Sequence, residues 1–155
     1  MLIADNKPFE ILNNLIVINN DRIEGYNYAA KKINVPVLKV LFSRLIETSF
    51  VCKKELSGQV YKLGGKPQEG NVTSVIFFIA WLDVITAVGK NDHNAILNSC
   101  IKEESIVMQC YEAALNEEDK NITTQHQLLF HKHFELINAD FNKVKNLLKV
   151  LNRPS

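Results

Sequence analysis

Glycine and proline are scarce in this sequence, six and four in 155 residues, about half of average usage. Their placement adds to the point. Pro8 and Pro36 stand near expected helix starts, Gly64, Gly65, Pro67, Gly70 and Gly89 fall in one stretch, and only Gly25 and Gly58 interrupt otherwise continuous segments. Breakers this few and this clustered leave long helices with one substantial interruption. Net charge is also missing: 18 basic against 17 acidic side chains give +1, which argues against a dedicated nucleic-acid binder. The most apolar run, Val75 to Val88, contains Asp83 and falls short of the ~18–20 residues that span a bilayer. The start, MLIADNKPFE, has no basic n-region and no long apolar h-region, so no signal peptide is expected. The three cysteines, Cys52, Cys100 and Cys110, form no CxxC pair. They read as buried reduced thiols and point to the cytoplasm. No phosphate-binding glycine loop or nucleophile elbow is present.

What is there is helical periodicity. A single all-α domain over 1–155 is expected, with helices at about 8–33, 36–62, 92–116 and 124–151 and a short apolar one at 75–88. In the first helix Phe9, Leu12, Ile16, Ile23, Tyr26 and Ala30 share a stripe. In the last, Phe130, Phe134, Ile137, Phe141, Val144 and Leu148 follow the rhythm of bundle packing. The first two helices, and the last two, have short links and are therefore antiparallel neighbours. The connection from Gly64 to Asn91 is long enough to run the length of a bundle. One such crossover between the second and third long helices is the ferritin-like topology. Its short helix is apolar nearly all round, so Ile76, Phe77 and Trp81 are expected at a subunit interface, in a homodimer.

Polar residues interrupt the stripes at mid-helix. Glu104 takes a core slot in the third long helix, as does Asn19 in the first, with Asn20 beside it. Ser49 and Cys52 lie at the middle of the second, and His133 and Asp140 are spaced seven apart on the last. A polar core layer of Asn19, Asn20, Ser49, Cys52, Glu104, His133 and Asp140 is expected, with Glu104 bonded to Asn19, Asn20, Ser49 or His133. Lys102-Glu103 reads as a solvated pair, and Asp21 and Glu24 as charges flanking the core face. A di-iron or di-manganese centre is built in such a layer from two Glu and two Glu-x-x-His motifs. No Glu-x-x-His occurs in the chain, so any iron or manganese would rest on Glu104, His133 and Glu24.

The segments NNDRIEGYNYAA, LFSRLIETSFVCKKELSGQVYKLGGKPQEG and AILNSCIKEESIVMQCYEAAL, with Trp81-x-Asp83 between the last two, resemble a bacterial ferritin-like family of unknown function, often abundant in genomes with stress-response proteins. The resemblance covers nearly the whole chain and implies a ferritin-like four-helix bundle with no established activity. The chain has Glu103-Glu104-Ser105 where relatives tend to carry Gly-Glu-Asp, and Phe141-Asn142 in place of a His-Asp pair. The first puts Ser105 where relatives have an Asp, and the second loses a His-Asp pair, which weakens the case for a metal site. Three functions are compatible with the residues: a non-catalytic oligomer acting through protein contacts, a metal-binding or metal-redox bundle, and a carrier of a small apolar ligand among Phe130, Phe134 and Phe141.

Overall fold

The computed structural model describes residues 7–69 and 75–152, with the side chains of all but 75–80 among them. The described residues form five helices and no strand: α1 (Lys7–Lys32), α2 (Pro36–Lys62), α3 (Val75–Gly89), α4 (His93–Leu115) and α5 (Thr124–Leu151). Their ends follow local chemistry. Pro36 opens α2, where its missing N–H costs nothing. Asp92 caps α4 by accepting from the Ala95 N–H at 3.1 Å. Thr123 and His126 bond reciprocally at the start of α5 as a capping box. Gly64, at φ 82°, turns the chain out of α2 through the left-handed region that side-chain-bearing residues avoid.

Side-chain pairings give the helix directions. Along α1, Arg22 meets Ser49 of α2 and Tyr26 stacks on Phe42, so α1 and α2 are antiparallel. Asn19, Arg22 and Tyr26 meet Tyr111, Glu104 and Glu103 in descending order along α4, so α1 and α4 are antiparallel as well. α2 and α4 therefore run in the same direction, and the connection between them spans the molecule. α1 packs on α2 and α4, and α5 packs on α2 and α4, closing a ring of four long helices. α3 lies outside the ring against α4 and α1.

The core divides in two. One apolar cluster holds Tyr26, Leu38, Phe42, Trp81, Leu97 and Val144, among others. The second is built around Leu12, Ile16, Leu56, Val107, Phe130 and Ile137. Between them lie the buried polar side chains. On α5 the deepest polar positions belong to His133 and Asp140, while Phe134 and Phe141, expected in the core stripe, are only half-buried. The same displacement occurs on α1: Arg22 is buried and Ile23 is only partly so.

Trp81 corrects the interface expected for it. Its ring lies on the backbone of Gly25, where a Cβ would collide with it. It meets Tyr26 edge-on at 5.0 Å between centroids. This contact within the chain leaves Trp81 only 9% exposed, because Gly25 lets the indole settle directly against α1. The side chains of Ile76 and Phe77 lie outside the described residues.

Candidate functional site

The polar layer begins with an internal cation. Arg22 reaches from α1 across the core, and its guanidinium grips Glu104 of α4 with a two-pronged fork. Nε donates to Oε2 at 2.9 Å and Nη2 to Oε1 at 2.5 Å. Both side chains are 0% exposed. Arg22 Nη1 donates to Ser49 Oγ of α2 at 2.7 Å, and Asp140 Oδ2 of α5 lies 3.5 Å from Nη2. One guanidinium thus ties all four long helices together. Burial opposes the Arg22 charge, but the Glu104 carboxylate more than restores it, and the pKa lies above its ordinary value.

Glu103 is the second acid of the layer. It was expected on a solvated face and is instead fully buried. Glu103 and Glu104 straddle the line that points from α4 into the core, so both face inward. Tyr26 Oη lies 3.1 Å from Glu103 Oε2 and 3.1 Å from Glu104 Oε2. Burial, and then the neighbouring Glu104, push Glu103 well above the usual carboxylate range. Tyr26 Oη is the donor shared by these two carboxyl groups. Burial also raises Asp140, against the pull of Thr48 and Arg22.

A second chain of bonds runs from the layer to the surface. Asn19 Nδ2 donates to Tyr111 Oη at 3.0 Å, and Tyr111 Oη lies 3.2 Å from His133 Nδ1. His133 Nε2 is 3.1 Å from Glu55 Oε1, and Glu55 Oε2 accepts from Lys132 Nζ at 2.7 Å. With Asn19 donating to it, Tyr111 gives its proton to Nδ1, so the His133 hydrogen is on Nε2 and goes to Glu55. Burial lowers the His133 pKa and keeps the ring neutral. Burial works against the Glu55 charge, but the bonds from Lys132 and His133 win and hold Glu55 below its ordinary value. Burial pushes the Cys52 thiol, beside Tyr111, up to about 12, so it is no nucleophile at neutral pH.

Of the residues expected in the layer, Asn19, Ser49, Cys52, Glu104, His133 and Asp140 are buried, and Asn20 is partly so. The expected donors to Glu104 are replaced by Arg22 and Tyr26. Arg22 was legible in one respect: it sits three residues after Asn19 and four before Tyr26, on the core line of α1. A buried carboxylate also requires a cation or a proton. Asp21 lies deeper than a flanking charge, at 8% exposure, whereas Glu24 is exposed.

The residues do not fit a metal centre. The Glu104 oxygens are filled by a guanidinium whose positive charge repels a metal ion. Both His133 nitrogens are engaged in the other network, and Glu24 faces outward. Among the described residues no group of three or more His, Cys, Asp and Glu side chains could hold a metal ion. A groove of about 380 Å³ between α2 and α5 touches the polar chain only at Glu55 and Lys132. None of the described helices is long and apolar enough to cross a membrane.

Comparison with known families places this arrangement. Residues 7–117, which carry α1 to α4 and with them Arg22, Tyr26, Glu103 and Glu104, match the model of the domain of unknown function DUF2383. The chain belongs to the DUF2383 family. No curated protein matches the chain. The DUF2383 match ends before α5, so His133 and Asp140 are supplied from outside the matched region.

Proposed function

We propose that this DUF2383 protein is a cytoplasmic, ferritin-like four-helix bundle with a non-catalytic role exercised through protein contacts. The observation that carries the reading is the Arg22–Glu104 fork. In a ferritin-like metal centre a mid-bundle carboxylate binds a metal ion; here it binds the chain's own guanidinium. The parallel α2 and α4, joined by a long crossover, support the ferritin-like assignment. The chemistry of the core supports the non-catalytic one. Glu104 is paired with Arg22, burial pushes Glu103 and Asp140 upward, His133 is neutral and bonded at both nitrogens, and burial holds the Cys52 and Cys100 thiols protonated.

The test is elemental analysis of protein purified without chelator, followed by titration with ferrous and manganous ions. The expected result is no stoichiometric metal and no saturable heat of binding. About two iron or manganese ions per chain, the complement of a ferritin-like di-metal centre, would overturn the reading.

A further inference from the structure

We infer that the outer face of α3, with Lys102 of α4 at its edge, binds a second copy of this chain about a twofold axis. The inference rests on the protein-contact reading above and names the partner. Trp81, Val84, Ala87 and Val88 turn inward and are buried, so the opposite side of α3 presents Leu82 at 47% and Ile85 at 36% exposure. Val37 and Val40 form another exposed apolar pair one turn apart on α2, but the α3 pair is the one with the oppositely charged Asp83 and Lys102 beside it. Leu82 and Ile85 lie one turn apart on a helix that packs only at the side of the ring.

Charge selects the occupant. Asp83 and Lys102 flank the apolar centre, paired at 3.3 Å and still 47% and 60% exposed. A patch with one anion and one cation beside an apolar centre is complementary to its own twofold copy, in which each Asp83 can turn to the other chain's Lys102. A strongly acidic or strongly basic partner would meet one matched and one opposed charge. The net charge of +1 adds almost no repulsion between copies. Stable interfaces bury about 800 Å² per partner, more than Leu82 and Ile85 supply. The contact therefore extends from α3 onto the edge of α4, where Lys102 stands.

The experiment is light scattering coupled to size exclusion at high micromolar concentration. Wild type is expected at twice the 17.6 kDa chain mass, and Leu82→Asp at the single mass with unchanged helix content. Val40→Asp, off the patch, should remain dimeric. Asp83→Lys and Lys102→Asp should each weaken the dimer at least tenfold. Mixed together they should form a heterodimer, because every crossed pair is then opposite in sign while the pairs within each chain remain alike. A monomeric wild type, or a mixture that stays monomeric while the single variants do, overturns the inference. A photo-crosslinker at Ile85 separates the remaining cases. Capture of a different protein, lost in Leu82→Asp, overturns the second copy and leaves the protein-contact reading standing. No crosslinked product at all, from a monomeric wild type, overturns both.

Discussion

Arg22 and Glu104 stand 82 positions apart in the sequence and share two hydrogen bonds in a part of the core that water does not reach. Each is the other's principal solvent. Removing one leaves a buried charge with no adequate partner, whereas removing both leaves only a packing defect. Arg22→Met should therefore destabilise the protein by about 3–5 kcal/mol. Arg22→Met combined with Glu104→Leu should recover most of that loss. Urea denaturation of the two single variants and the double variant gives the comparison; losses that simply add would show that the pair is not coupled.

Glu103 makes stability fall as pH rises. Its folded pKa is raised above the unfolded value, so its contribution is full below the unfolded carboxylate pKa and is lost as pH rises through the folded one. Asp140 is shifted in the same direction and adds to the trend. The denaturation midpoint should fall as pH rises from the unfolded carboxylate range toward the raised folded pKa. Glu103→Gln, which keeps the shape and stays neutral, should flatten that fall without abolishing it. An unchanged pH dependence in the variant would contradict the raised pKa of Glu103.

Two glycines in helices should respond in opposite senses to the same substitution. Gly58→Ala, on α2 with nothing near its added methyl, should stabilise by about 0.5–1 kcal/mol through helix propensity. Gly25→Ala drives a methyl into the Trp81 ring and should destabilise by about 1–3 kcal/mol. Thermal melts of the two variants decide it, and a stabilised Gly25→Ala would mean that the indole moves aside freely.

The two ends of the Asn19–Tyr111–His133–Glu55–Lys132 chain differ in worth. Tyr111→Phe leaves Asn19 and His133 without their buried partner and should cost about 1–3 kcal/mol. Lys132→Ala removes an exposed member and should cost at most about 1 kcal/mol. Chemical denaturation of both variants in moderate salt tests the ranking.

The helices were legible because breakers were few and the stripes long. The helix expected over 36–62 and the observed α2 share their ends, since Pro36 and Gly64 punctuate the chain on either side. The polar layer was legible in part because Asn19 and Glu104 interrupt stripes. Arg22 and Glu103 escaped because a charged residue beside an apolar slot looks like a solvated flank. Only the three-dimensional packing shows that Arg22 meets the buried Glu104 and that Glu103 meets Tyr26. Trp81 was misplaced for a related reason. An apolar helix signals that something covers it, but Gly25, in a different helix and 56 positions earlier, supplies the flat surface that accepts the indole.

The parallel course of α2 and α4 also shapes how the chain comes together. Short links let α1–α2 and α4–α5 pair locally, and lengthening the crossover adds little closure entropy, since that entropy grows only with the logarithm of length. The seam between the two halves is different, because neither Arg22 nor Glu104 can shed its water until the other arrives. The pair belongs to the last stage of assembly and to the first of disassembly. Interactions absent from the transition state act mainly on unfolding rates. Loss of the Arg22–Glu104 fork therefore shortens the lifetime of the folded chain more than it delays its formation.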